Sequence, residues 1–387
     1  MKLGKAYAEE TPGVTATEIK IGNTVAYSGP ASGVAGLARV EAAYFRSVNE
    51  KDGIAGRKIN FISLDDAYSP PKTVEQTREL VEQEGVAFMF SSTGTAPNTA
   101  VRKYLNDRGI PQLFIFTGAD KFTDYKQYPW TISSLPSYRT EAQIFAKYAL
   151  AHSPGAGIGI LYQNDDFGRD YVAGFKDVLG DRFAAKAKLV TCESTDPTVD
   201  SQIVSLYSAG VTVLMVVAVG TLAAQAIRKV YDIAWKPALF FLSSVDSSVS
   251  GVIKPAGQEK AVGIITAQFL KDPMDPAWAG DPEVQEWRNL MARYLPNADL
   301  SDLYNVYGYF SAEMLHQVLK QCGDDFSRAN IMKKATNLHE LALPMLLPGI
   351  KVSTAPTNYR PIRQMQLARW NGDTWKRFGE LIEGSGI

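Results

Sequence analysis

Cysteine, histidine, net charge and long apolar runs are all scarce in this chain of 387 residues. The two cysteines, Cys192 and Cys322, are too few and too far apart for a disulfide framework or a thiolate metal site. They leave the redox compartment open, and in a two-lobed chain they fall in different lobes. The three histidines, His152, His316 and His339, are scattered, and HELAL at 339–343 lacks the second histidine of a zinc helix. No G-x-S-x-G elbow occurs, so a hydrolase nucleophile has no support. With 40 basic and 41 acidic residues the net charge is −1, which gives no electrostatic reason to expect nucleic acid or an anionic membrane as partner. The longest apolar stretch, VTVLMVVAV at 211–219 with Thr212 its one polar residue, is far short of the roughly 20 residues of a membrane helix.

Other suggestive features lose their force in context. GAGIGI at 155–160 precedes a strand instead of following one, so it fails as a dinucleotide fingerprint. The acid pairs Asp65-Asp66, Asp165-Asp166 and Asp324-Asp325 suggest acid–base work, but neighbours on a strand point oppositely, and turn or cap roles suit them better. None of the six tryptophans falls in a loop expected at a cleft, so they are read as packing residues. The opening MKLGKAYAEE is too short and polar for a whole signal peptide. Ala6-Tyr7-Ala8 has the small-x-small form of a cleavage site and reads as the remnant of one.

What the chain does have is apolar content of 45% and a length that calls for two domains. Strand and helix patterns alternate. IKIGNTV (19–25) precedes a helix near 33–50, and KINFISLDD (58–66) precedes one begun by Ser69-Pro70. VAFMFSS (86–92) leads to a helix at about 96–108, and QLFIFTG (112–118) completes four βα units. The pattern restarts with GIGILYQ (157–163), AKAKLVTCE (185–193), VTVLMVVAV (211–219) and ALFFLSS (238–244), and AVGIITAQF (261–269) adds a strand. Helices follow at about 282–295 and 303–321. In the tail, Asn371-Gly372 between two alternating runs predicts a type I′ hairpin. The repetition predicts two α/β lobes with parallel sheets flanked by helices, and the lack of a low-complexity linker predicts short crossovers between them.

In open parallel sheets, ligands bind at the carboxyl ends of the strands. In the first lobe those ends carry Tyr27-Ser28-Gly29-Pro30, then Ser91-Ser92-Thr93-Gly94-Thr95, then Thr117-Gly118-Ala119. Hydroxyls, exposed amides and helix N-termini together suit a carboxylate. Each loop taken alone is equally well a set of caps and turns. The second lobe offers Gln163 to Gly168 with Phe167, then Val219-Gly220-Thr221, then Ser243-Ser244-Val245-Asp246, an apolar mixture with a few polar groups.

These residues resemble a known family. YSGPASGVAG…VNEKDGIAGRKI, SSTGT, NDDFGRDYVAGFK, STDPTVDSQI, YGYFSAEML and QMQLARWNGDTWKRF, in this order over about 15–380, are similar to bacterial periplasmic solute-binding proteins of the branched-chain amino-acid (Leu/Ile/Val-binding) type. The resemblance implies two Rossmann-like lobes, 15–120 plus 252–345 and 121–251 plus 346–387, joined by three crossover strands around a cleft that closes by a hinge. It implies a monomeric, periplasmic, non-enzymatic protein with no cofactor and no metal, which delivers a small hydrophobic carboxylate to a membrane ABC permease. A ligand-sensing receptor of the same fold is the alternative. By position, the ligand carboxylate meets Ser91, Ser92 or Thr93, and Thr117 with the Gly118 and Ala119 amides, while Tyr27 and Ser28 line the cleft. Phe167 falls where amino-acid-binding relatives usually have tyrosine, and Val219 where some carry aromatics. Tyr304 and Tyr307 are cleft walls or core. Asp246 decides the ligand. In the cleft it accommodates an ammonium group; facing solvent, it leaves a pocket for an aromatic acid without an amine.

Overall fold

A computed structural model describes residues 11–384. Ala6-Tyr7-Ala8 therefore lies outside the described residues. The chain first lays down β1 (Glu18–Val25), α1 (Ala35–Asn49), β2 (Lys58–Asp65), α2 (Pro70–Arg78), β3 (Phe88–Phe90), α3 (Thr95–Asp107), β4 (Gln112–Ile115) and β5 (Thr131–Ser133). These strands form a parallel sheet of order β2-β1-β3-β4-β5.

The second lobe begins with α4 (Tyr138–His152), β6 (Ile158–Gln163), α5 (Asp166–Leu179), α6 (Phe183–Lys186) and β7 (Ala187–Cys192). It continues with α7 (Asp200–Ser208), β8 (Val213–Val217), α8 (Gly220–Asp232), β9 (Leu239–Leu242), α9 (Lys254–Ala256) and β10 (Ile265–Gln268). The chain then returns to the first lobe for α10 (Pro282–Tyr294), α11 (Leu303–Gln321) and α12 (Arg328–Ala335), and ends in the second with β11 (Gln364–Trp370) and β12 (Trp375–Glu383). The second sheet has the order β12-β11-β10-β9-β8-β6-β7, with β11 and β12 antiparallel.

Alternation along the strands shows why helices cover both faces. Phe88 and Phe90 enter the cluster shared with α1 and α11, whereas Met89 between them joins Leu80, Val101 and Leu105 on the other face. Val213, Met215 and Val217 pack with Phe145 and Phe175, while Leu214 and Val216 pack with Ile203 and Ile227. Each such buried side chain contributes about 1.5–3 kcal/mol of transfer free energy. Cys192 and Cys322 are buried and unpaired, and burial pushes each thiol up to about 12.

Helices α1 and α11 cross with their backbones touching, because a Cβ on Gly308 would strike the Leu37 carbonyl. Gly308→Ala should therefore force the helices apart and destabilise the protein by about 1–3 kcal/mol. The check is a lowered thermal midpoint with unchanged far-UV dichroism at low temperature.

Three sequence expectations need correction. Thr131–Ser133, assigned to the second lobe, pairs with β4 in the first sheet. Ile265–Gln268, assigned to the first lobe, pairs with β9 and β11 in the second. A short buried strand carries nothing in its own residues to show which sheet it joins; only its pairing partners decide. The tail hairpin has a four-residue loop, Asn371–Thr374, instead of a two-residue I′ turn. There the Asn371 side chain accepts the Asp373 and Thr374 amides at 2.9 Å, and only Gly372 takes positive φ (105°).

Candidate functional site

A cavity of about 100 Å³ lies between the lobes at the carboxyl ends of both sheets. One buried water needs roughly 10–15 Å³ on this measure, so the space suits a ligand of about ten non-hydrogen atoms. The first lobe contributes the turn from Pro30 to Val34, Tyr68 after β2, Thr93 to Thr95 after β3, and Phe116 after β4. The second contributes Tyr138, Phe167, Val219 to Thr221, Val245 and Asp246, with Val252 beyond them. Tyr304 at the start of α11 completes the wall. Phe167 rests against Tyr138 with ring centroids 4.9 Å apart.

Two features give the cavity polarity. Thr93 is 1% exposed and its hydroxyl has no hydrogen-bond partner among the described residues. It stands just before α3, whose first-turn amides have no carbonyls within the helix to bond and carry partial positive charge. Behind it, the Thr95 and Thr117 hydroxyls bond each other at 2.6 Å. This corner suits a carboxylate.

The second feature is Asp246, the only charged residue among the described residues lining the cavity. It is 3% exposed, and its Oδ2 meets no donor among the described residues. Burial, with the Glu141 carboxyl nearby, raises its pKa well above the usual carboxylate range, and the neighbouring Ala218 amide and Ser243 offset this only in part. Such a group is stabilised by a cation brought in from solution.

The turn carrying Asp246 is held from three sides. Glu141 on α4 accepts the Ser244 amide at 2.8 Å and the Ser244 hydroxyl at 2.6 Å. The Tyr304 hydroxyl donates to the Val245 carbonyl at 2.7 Å, and the Trp375 indole to the Ser247 carbonyl at 2.8 Å. The terminal hairpin thus braces the site, which gives one of the packing tryptophans a place in it.

The structure brings Thr93, Phe167, Val219, Asp246 and Tyr304 together around the cavity, and leaves the other expected site residues off its lining. Tyr27 turns its hydroxyl to Ser63 at 2.9 Å, and Ser28 is clamped to Asp65 at 2.6 Å. The Ser92 hydroxyl accepts the Thr24 amide at 3.3 Å, and Ser91 faces the buried Glu41. Thr117 supports the cradle from behind, and the Ala119 amide bonds its hydroxyl at 3.2 Å. Gly118 is a close-approach residue, where a Cβ would strike the Pro136 carbonyl. Tyr307 packs against Phe116 at 5.0 Å, behind the cavity wall.

Tyr68, Phe116, Tyr138 and Glu141 escaped sequence reasoning. Tyr68 was in view, in the loop after strand two, but Ser69-Pro70 beside it spoke only of a helix start. Glu141 reads as an ordinary helical acid.

Among the described residues no helix is long and apolar enough to cross a membrane, and no cluster of three potential metal ligands occurs. No curated protein matches the chain in sequence. Solved structures match its fold closely. A possible leucine/isoleucine/valine-binding protein from Rhodopirellula baltica shares 20% identity and a TM-score of 0.81, over 96% of this chain and 98% of that one. A branched-chain amino acid ABC transporter protein from Thermus thermophilus, solved with bound valine, shares 14% identity and a TM-score of 0.84, over 96% and 98%. A fatty acid ABC transporter substrate-binding protein from Thermomonospora curvata shares 17% identity and a TM-score of 0.78, over 97% and 95%. The model of the periplasmic binding protein family matches residues 18–374, and the chain belongs to that family.

Proposed function

We propose that the protein is an extracytoplasmic, periplasmic solute-binding protein of an ABC importer, and that it captures an amino acid with an apolar side chain without transforming it. The observation that carries this reading is Asp246, a buried carboxylate at the cavity with one oxygen unpartnered among the described residues. An ammonium group answers it, and the Thr93 corner answers the ligand's own carboxylate. Val34, Phe116, Phe167, Val219 and Val252 surround the side chain. A carboxylate without an amine, as in an aromatic or fatty acid, would meet Asp246 with no countercharge, since no lysine, arginine or histidine is among the described lining residues.

The lobes follow the sheets, one holding residues 18–133 with α10 to α12 and the other α4 to β10 with the terminal hairpin. They close as a monomer about three crossings near 133–138, 268–282 and 335–364. Ligand drives closure only through its higher affinity for the closed form. Closure then presents both lobes to a membrane permease.

The test is a thermal-shift screen of ligand-stripped protein, followed by calorimetry. Leucine, isoleucine, valine and phenylalanine are set against benzoate, hydroxycinnamate and a fatty acid. A ligand at 1,000 times its Kd adds about 4 kcal/mol. The amino acids should shift the midpoint and the amine-free acids should not; the reverse pattern would sink the reading. Thr93→Ala should weaken amino-acid binding by roughly 1–3 kcal/mol, the loss expected for a hydrogen bond to a charged group, and leave the unliganded midpoint nearly unchanged. Calorimetry checks this directly.

A further inference from the structure

Tyr68 sits in an unusual piece of backbone. Ala67 and Tyr68 in succession take positive φ, 51° and 58°, which L-residues with side chains disfavour. Two aspartates hold them there. Asp65 Oδ1 accepts the Ala67 amide at 3.0 Å, and Asp66 Oδ1 accepts the Tyr68 amide at 2.9 Å. Strain of this kind persists where surrounding structure enforces it, and it concentrates at clamps and switches.

The enforced turn sends the phenol ring out of the first lobe and across the cleft. Its phenol lies beside Gln163 at the carboxyl end of β6, and the ring packs on an apolar cluster that spans both lobes, with Ala26 and Ala31 from the first and Val219, Leu222 and Val252 from the second. Gln163 is fixed in turn, through Asp165 at 2.6 Å and the Val219 amide at 3.3 Å. The cradle loop makes room for the ring with a glycine. A Cβ on Gly94 would lie 2.5 Å from Tyr68 Cε2, and Gly94 itself has φ of 93°. Tyr68 thus lines the cavity, touches the carboxylate corner and bridges the lobes at once.

We propose that Tyr68 is the gate of the cleft and a specificity-determining wall: it closes from the first lobe onto Gln163 of the second, holds the bound amino acid in, and limits the size of its side chain. The proposal rests on the amino-acid reading for its ligand, but the bridge between lobes is a property of the protein alone. A residue needed only for packing would not require a doubly left-handed turn pinned by two carboxylates, nor a glycine cleared for its ring edge.

The experiment uses the whole protein with Tyr68→Phe and Tyr68→Ala, and valine, leucine, phenylalanine and tryptophan as probes in stopped-flow binding. Tyr68→Phe removes the hydroxyl that closure would seat on Gln163 and keeps the wall, so dissociation should quicken about three- to tenfold with the association rate unchanged. Tyr68→Ala removes the wall, so the affinity ratio of phenylalanine and tryptophan to valine should rise at least about tenfold. Equal weakening for all four probes, or an unchanged dissociation rate in both variants, overturns the proposal. A dye pair on the exposed positions Lys103 and Lys188 reports lobe separation without ligand. Tyr68→Ala should widen it, and an unchanged distribution also overturns the gate. If the unaltered protein binds none of the four probes, the amino-acid reading fails, and this distance measurement still judges the gate.

Discussion

Asp246→Asn should weaken binding of any amino-acid ligand by about 2–5 kcal/mol, roughly 30- to 4,000-fold in Kd, because it leaves a desolvated ammonium without its countercharge. The unliganded variant should fold at least as well as the parent, since the substitution removes an acid whose charged form burial already disfavours. Binding should also expel a proton. Burial raises the pKa of Asp246 in the free protein, and an arriving ammonium favours the carboxylate and lowers it again. Affinity therefore rises with pH up to the pKa of the free protein, and Asp246→Asn flattens that rise. Calorimetry in buffers of different ionisation heat reads the released proton directly. A pH-independent affinity in the unaltered protein would remove Asp246 from the site.

Stability should peak in mildly acidic solution and fall on the way to neutrality. Burial holds Glu141 and Asp170 at about 7, and Asp272 and Asp302 at about 6, all above their ordinary values. Between an ordinary carboxyl pKa and these raised values the folded state binds more protons than the unfolded state, so stability is lost as pH rises through that window. At the acid end the sign reverses. Asp177 beside Arg139, and Asp281 hydrogen-bonded to Lys271, are held below their usual range, and their contribution disappears as pH falls through it. The midpoint should thus be highest near pH 5.

Glu141 offers a direct test of this window. Its shift corresponds to about 3 kcal/mol of disfavoured ionisation, at about 1.4 kcal/mol per unit. Glu141→Gln retains an acceptor for the Ser244 amide and loses the charge. After allowing about 1 kcal/mol for the altered Ser244 bond, the variant should exceed the parent by roughly 1–2 kcal/mol at pH 8 and lose the advantage at pH 5. Denaturant titrations at the two pH values check this. Equal differences at both would mean that Glu141 stays charged throughout.

Much of the fold was legible because periodicity survives in single segments. The helix expected at 303–321 spans those residues, and the strands of both βα series stand where alternation and apolar runs placed them. Sheet membership was not legible for Thr131–Ser133 or Ile265–Gln268, since pairing is decided by partners far away in sequence. The cleft's address at the strand ends was also legible, but its lining only in part. Ser91 takes φ of 53°, so the chain turns between Ser91 and Thr93 in a way that a Ser-Ser-Thr string does not announce. Only Thr93 of the three lines the cavity. Tyr68 faces the cavity through backbone angles that tyrosine rarely adopts, which no propensity argument selects. Glu141 matters because Ser244, 103 positions later, folds onto it.

The most direct test of the central claim is calorimetry of leucine against 4-methylpentanoate, the same carbon skeleton without its amine, on the parent and on Asp246→Asn. The parent should bind leucine at least about 30-fold more tightly than the amine-free acid, and Asp246→Asn should abolish or reverse this preference. Equal binding of both compounds by the parent, with no change in the variant, would contradict it.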